Sequence, residues 1–179
     1  GTCIQISSND VVFDCQNNFI YGTGTGDGIR VGGGFSASFG GATIKNCRIG
    51  GYANGIAFCP SSNNSIYNNT IFNTTGGGAG VSVSGCNLGI AKNYSIYNNT
   101  IMLSNGNAIT ITTTGYPESN ISVFNNSLLN STLDLIYVYV SNVSLTNNSM
   151  QRASYSGTYQ HLFLAAGLTV LSLNNTLNL

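Results

Sequence analysis

Five carboxylates and one histidine are the side chains that acid–base chemistry would use in this chain: Asp10, Asp14, Asp27, Glu118, Asp134 and His161. Such chemistry needs a proton donor beside a group that stays ionised, so two of these must converge on one bond. The spacing does not bring them together. Asp10 precedes an apolar stretch and Asp14 closes it, Asp27 stands in the Gly-rich turn GTGTGDG, and Glu118 and Asp134 fall in turns far along the chain. These read as turn and corner residues. His161 has no acid or thiol near it in sequence for a triad or a metal site, and it reads as a surface or strand residue. No glycine string is followed by the Lys-Ser/Thr of a phosphate loop. The expectation is a non-enzymatic protein without metal or cofactor, whose remaining chemistry is that of cysteines, asparagines and aromatics.

A repeat positions these residues. The heptapeptide SIYNNTI at Ser65 to Ile71 returns unchanged at Ser95 to Ile101. Looser copies begin at Thr43, Ser122, Ser144 and Leu171, with a longer first version from Val11, so that successive copies start 22 to 32 residues apart. A motif returning at that period marks stacked supersecondary units. Each repeat holds three short apolar groups. The third recurs as Ile4/Ile6, Ile29/Val31, Ile56/Phe58, Val81/Val83, Ile109/Ile111 and Ile136/Val138, pairs two apart that belong to a strand with one buried face. Turns rich in Gly, Asn and Ser separate the groups, and the longest step comes from an insert, Gly32 to Gly41, expected to loop out. Stacked repeats set each strand beside its own copy one turn later, in parallel and about 4.8 Å away. The expected fold is all-β, a single domain over residues 1–179, with about six to seven coils of three short strands.

The doubled asparagine carries a parity argument. Ile66 and Ile71 should both point inward yet are five apart, so one residue between them must break the alternation. A left-handed residue does this, and Asn tolerates that conformation better than any residue except Gly. The first member of the doublet is Asp14, Asn46, Asn68, Asn98, Asn125, Asn147 and Asn174, while the second admits Cys15 and Cys47. The first position is therefore expected at the corner, its amides stacked in a buried ladder.

This set of residues resembles the right-handed parallel β-helix family, and in particular the short PbH1-type repeats of NosD-like, pectin-lyase-like and carbohydrate-associated proteins abundant in archaea. The resemblance spans Cys3 to Leu177 and implies a right-handed solenoid. Lyases and hydrolases of that fold cluster acids on one face, which these sequence positions do not supply. A NosD-like copper-handling role is disfavoured by the single His and by only two methionines, Met102 and Met150.

Five cysteines, Cys3, Cys15, Cys47, Cys59 and Cys86, match no zinc or redox spacing. Cys15 and Cys47 share a repeat position in adjacent coils, and so do Cys59 and Cys86, at a separation a disulfide tolerates. Cys3 with Cys15 is a rival pairing, and free thiols in a buried ladder remain a further alternative. Disulfides fit an oxidising external compartment. Eleven N-x-Ser/Thr sequons occur. Asn63, Asn93, Asn120 and Asn142 are expected in solvent-facing turns and hence as glycan acceptors, with Asn73 and Asn130 similar. Asn68, Asn98, Asn125, Asn147 and Asn174 are expected to be buried and unmodified. Tyr67, Tyr97 and Phe124 should form an outward aromatic stripe, which serves either sugar or protein binding or cross-strand stability.

Five Lys/Arg balance five Asp/Glu, which gives no pull toward nucleic acid or an anionic membrane. The longest apolar-rich run, Leu162 to Leu173, is too short to span a bilayer. No signal peptide opens the chain as given, so it is expected to be mature or trimmed. It starts and ends in strand-like segments without a polar cap, which solenoids normally carry. Cys3, Ile4 and Ile6 at one end and Leu171, Leu173 and Leu177 at the other are the expected assembly contacts. The functional expectation is an extracellular structural glycoprotein of the cell surface whose copies join head to tail into a filament. A carbohydrate-binding or polysaccharide-processing module is the alternative.

Overall fold

The computed structural model describes residues 1–32, 39–59, 61–84, 91–112, 118–152, 162–164 and 170–178. Coil by coil the strands are β1 (Ile4–Ile6), β2 (Val12–Asp14) and β3 (Phe19–Tyr21), then β4 (Asp27–Val31), β5 (Thr43–Lys45) and β6 (Arg48–Gly50). There follow β7 (Asn54–Phe58), β8 (Ser62–Tyr67), β9 (Thr70–Phe72), β10 (Val81–Ser84), β11 (Lys92–Tyr97) and β12 (Thr100–Met102). The last three coils hold β13 (Ile109–Thr112), β14 (Glu118–Phe124), β15 (Ser127–Leu129), β16 (Ile136–Tyr139), β17 (Ser141–Thr146), β18 (Ser149–Gln151), β19 (Leu162–Leu164), β20 (Val170–Leu173) and β21 (Thr176–Asn178). Every third strand pairs in parallel, giving three seven-stranded sheets that begin with β1, β2 and β3. Each sheet has seven strands, and among the described residues the fully buried columns run through about five turns, from β4 to β18, slightly fewer than the six to seven coils expected. The outermost coils have a neighbour on one side only.

The apolar pattern sets the core. Ile44, Ile66, Ile96, Val123 and Leu145 stack in register, each fully buried. Ile49, Ile71, Ile101, Leu128 and Met150 do the same in the sheet begun by β3, and the expected Ile/Val/Phe pairs line the sheet begun by β1. Burying an aliphatic side chain contributes roughly 1.5 to 3 kcal/mol, so no single coil offsets the entropy of ordering its own residues and the stack folds as a unit.

The parity argument holds, with one correction. Asn46, Asn68, Asn98, Asn125, Asn147 and Asn174 are left-handed, with φ between 51° and 56°. Their side chains face outward, however, and the buried ladder is the second member of each doublet. Asn69, Asn99, Asn126 and Asn148 are each 1% exposed. A left-handed residue turns its own side chain out of the corner and the next one in.

The first coil departs from the expected alignment. Phe13, not Val12, pairs with Ile44, and Asp14 pairs with Lys45. Ile20 faces Ile49, so this corner holds two more residues than the others, absorbed by left-handed Gln16 and Asn17 at φ 51° and 65°. Phe13 is therefore in line with the inward Ile44, and Asp14 takes the outward position beside Lys45. Residues 33–38 of the insert lie outside the described residues.

Candidate functional site

The outer face of the sheet begun by β2 carries two columns of chemical interest. Asn63, Asn93, Asn120 and Asn142 are exposed, as expected, but they sit inside β8, β11, β14 and β17 at φ 48° to 60°, not in turns. The Asn93 amide donates to Asn63 Oδ1 at 2.8 Å and the Asn120 amide to Asn93 Oδ1 at 3.1 Å, a second and solvent-facing ladder. Asn68, Asn98, Asn125, Asn147 and Asn174 are exposed too, so the reason for excluding them as acceptors falls. Asn73 is exposed and Asn130 half-buried, both left-handed.

Four residues along each strand lies the aromatic stripe. Tyr67 and Tyr97 stack with centroids 4.9 Å apart and planes 13° apart, and Tyr97 and Phe124 stack at 4.8 Å and 2°. One coil's rise sets this spacing, which leaves no room for a sugar ring between aromatic faces. Both faces of Tyr97 are covered by its neighbours in the stack. Burial, and then Tyr67 beside it, raises the Tyr97 hydroxyl pKa. Lys45 follows Tyr67 in the column and pairs with Asp14 at 3.3 Å. The Asn46 amide and the Gln16 N–H hold the Asp14 carboxyl below its ordinary range, and Asp14 in turn raises Lys45.

Among the described residues the acids do not converge. Asp27 was expected as an ordinary turn residue, yet it begins β4 and is buried. Its carboxylate pairs with Arg30 at 2.6 Å and accepts from the Asn54 amide at 2.8 Å. Asp134 is buried far along the stack. Among the described residues no three His, Cys, Asp or Glu side chains group to hold a metal ion. His161 and the side chain of Glu118 lie outside the described residues. Asp10 lines a polar pocket of about 310 Å³ with Asn9, Gly40, Gly41, Ser62 and Asn63.

Cys15 and Cys47 form a disulfide with Cα atoms 4.8 Å apart, which removes the Cys3–Cys15 alternative, and Cys3 is a free exposed thiol. Cys59 is disulfide-bonded, while its expected partner Cys86 lies outside the described residues. At the ends, Leu171, Leu173 and Leu177 are exposed and Ile4 half-buried, but Ile6 is buried within its own coil and is no contact surface.

One surface was missed by sequence reasoning. On the sheet begun by β3, Phe72 lies across Gly50, where any side chain would collide with its ring. It touches Phe19 edge-on at 6.4 Å and Tyr21 at 6.5 Å, and the Arg48 guanidinium sits 4.1 Å from the Phe19 ring centre. The signal was present in the triplets TIF, TIM and SLL, which set an apolar residue outward after each inward aliphatic.

Among the described residues no helix is long and apolar enough to cross a membrane. No curated protein matches the chain. The family described as right handed beta helix region matches residues 1–150. With more than half of the chain matched, and three parallel sheets that each take one strand per coil, the chain belongs to the right-handed β-helix family.

Proposed function

We propose that this chain is a non-enzymatic structural module of an extracellular or cell-surface glycoprotein, and that copies join end to end into a filament. The observation that carries the reading is the contrast between middle and ends. The central columns are fully buried, whereas Leu177, which continues the Met150 column, is 52% exposed, and Ile4 and Ile20, which continue the Ile29 and Ile49 columns, are only half-buried. Unpaired strand edges template further pairing, and natural proteins usually cover or charge them. A copy translated along the solenoid axis brings its β1–β3 edge against the β19–β21 edge with matching chain direction, so all three sheets can continue at once. The two edges are different surfaces, and a contact between them does not close. The Cys15–Cys47 disulfide supports an oxidising compartment, and the exposed sequons support glycosylation.

Electron microscopy and sedimentation of the purified chain at rising concentration test assembly. Fibres are expected, and proline at Val12 and at Ser172 should return them to monomers. A monodisperse monomer at high concentration, or fibres that survive both prolines, would overturn the filament.

A carbohydrate-binding role is the second reading, favoured by the polar pocket around Asp10 and Asn63. Titration with neutral and acidic oligosaccharides, comparing the wild type with Asp10→Ala, tests it.

A further inference from the structure

Eleven sequons stand on this solenoid, and the two central coils hold a matched comparison. In one coil Asn93 and Asn98 are both exposed, both left-handed at φ 58° and 53°, and both followed two residues on by an outward half-buried hydroxyl, Ser95 or Thr100. In the next coil Asn120 and Asn125 repeat the arrangement with Ser122 and Ser127. Accessibility and backbone shape do not separate the members of each pair. Hydrogen bonding does. The Asn93 Nδ2 donates to Asn63 Oδ1 and its Oδ1 accepts from Asn120, so this amide is held between two neighbours one coil away on either side. Asn120 Nδ2 is likewise committed. Among the described residues, the side-chain amides of Asn98 and Asn125 bond to no protein group, and they occupy the convex corners before β12 and β15.

We infer that N-glycans on the central coils are carried by Asn98 and Asn125 and not by Asn93 and Asn120; the inference rests on the glycoprotein reading above. The glycosidic bond forms at Nδ2 and replaces one of its hydrogens. At Asn93 or Asn120 the sugar would enter where the amide is tied to the adjacent coil, crowding a neighbour within hydrogen-bond distance. At Asn98 or Asn125 it replaces a hydrogen that faces no protein acceptor. The folded chain therefore accommodates a glycan line along the corner and keeps the ladder bare. This reverses the expectation from parity alone.

The test is intact-glycopeptide mass spectrometry on the folded chain secreted from a host with N-glycosylation machinery. Chymotryptic cleavage after Tyr97 and Phe124 separates each pair onto different peptides. Glycan is expected on the Asn98 and Asn125 peptides, with Asn93 and Asn120 bare. Thr100→Ala should remove the mass of one glycan and Ser95→Ala none, and neither variant alters the asparagines themselves. Occupancy at Asn93 or Asn120 equal to or above that of its corner partner would overturn the inference while sparing the glycoprotein reading. A chain bare at all eleven sequons would overturn both.

Discussion

Asn68 and Asn69 are adjacent in the chain and opposite in the fold. Asn68 is exposed and left-handed at φ 56°, whereas Asn69 is buried and spans three coils. The Asn69 amide donates to Ile44 O at 3.1 Å and to Asn99 Oδ1 at 3.0 Å, while its own Oδ1 accepts from the Cys47 N–H at 2.9 Å. The same pattern recurs at Asn99, Asn126 and Asn148 and ends on Asn175. Each ladder residue thereby satisfies corner backbone groups that no strand pairing reaches.

The two positions should respond oppositely to mutation. Asn99→Ala leaves the Asn69 N–H and the Ile66 carbonyl without their side-chain partner, while Asn126 Oδ1 keeps the Asn99 N–H. At about 1 to 3 kcal/mol per buried orphan, a loss of at least about 2 kcal/mol is expected in urea unfolding. Asn98→Gly keeps a residue at ease with positive φ, and its stability should stay within about 1 kcal/mol of the wild type. Equal losses at both positions would contradict the ladder assignment.

The core was legible in the sequence because period two and the five-residue gap between Ile66 and Ile71 leave no other way to bury both. The identity of the ladder residue was not. Both doublet positions are Asn, and parity says only that one of them breaks the alternation. The first coil misled for a related reason. Asp14-Cys15 stands at the doublet position of the repeat, yet the left-handed residues there are Gln16 and Asn17, which lengthen the corner. The pocket at Asn9, Asp10, Gly40, Gly41, Ser62 and Asn63 draws on three successive coils, and no local pattern joins those positions.

Cys15→Ser combined with Cys47→Ser opens a covalent loop with a sequence separation of 32. Closing a loop of that size removes unfolded-state entropy equivalent to about 3 to 4 kcal/mol. Because the bridge ties the outermost coil to the first closed one, the loss should appear first as faster amide exchange in β1 to β3. Exchange that accelerates uniformly along the chain would show that the bridge does not act locally.

Asp14 makes the first corner acid-sensitive. Its carboxyl is held below the ordinary carboxylate range by the Asn46 amide, the Gln16 N–H and Lys45, in that order. A depressed carboxyl contributes stability above its unfolded pKa, and that contribution is lost as pH falls through the folded value. The thermal midpoint of the wild type should therefore fall more steeply below pH 4 than that of Asp14→Asn. Parallel curves would remove Asp14 from the acid response.

Tyr52 governs the alkaline side. Its ring fills the corner beside Gly22, where an added methyl would meet it, and burial followed by the Cys3 side chain pushes its hydroxyl up to about 12 from 10.0. Burial also raises Tyr94, which hydrogen-bonds Ser61 Oγ at 2.6 Å. For an acid whose neutral form the fold prefers, the unfolded chain ionises first. The stabilisation is complete below pH 10 and is lost as pH rises from 10 toward about 12. Tyr52→Phe keeps the ring and removes the ionisation, so its unfolding free energy should decline less over that window than that of the wild type. Part of the remaining slope should come from Tyr94 and be lost in the double variant with Tyr94→Phe, once the lost Ser61 hydrogen bond is subtracted as a pH-independent offset, leaving the contributions of Tyr97 and Lys45. Tyrosinate absorbance followed alongside circular dichroism checks the mechanism. In the intact fold Tyr52 should ionise only near pH 12, and its ionisation near pH 10 while the coils stay intact would refute the assignment.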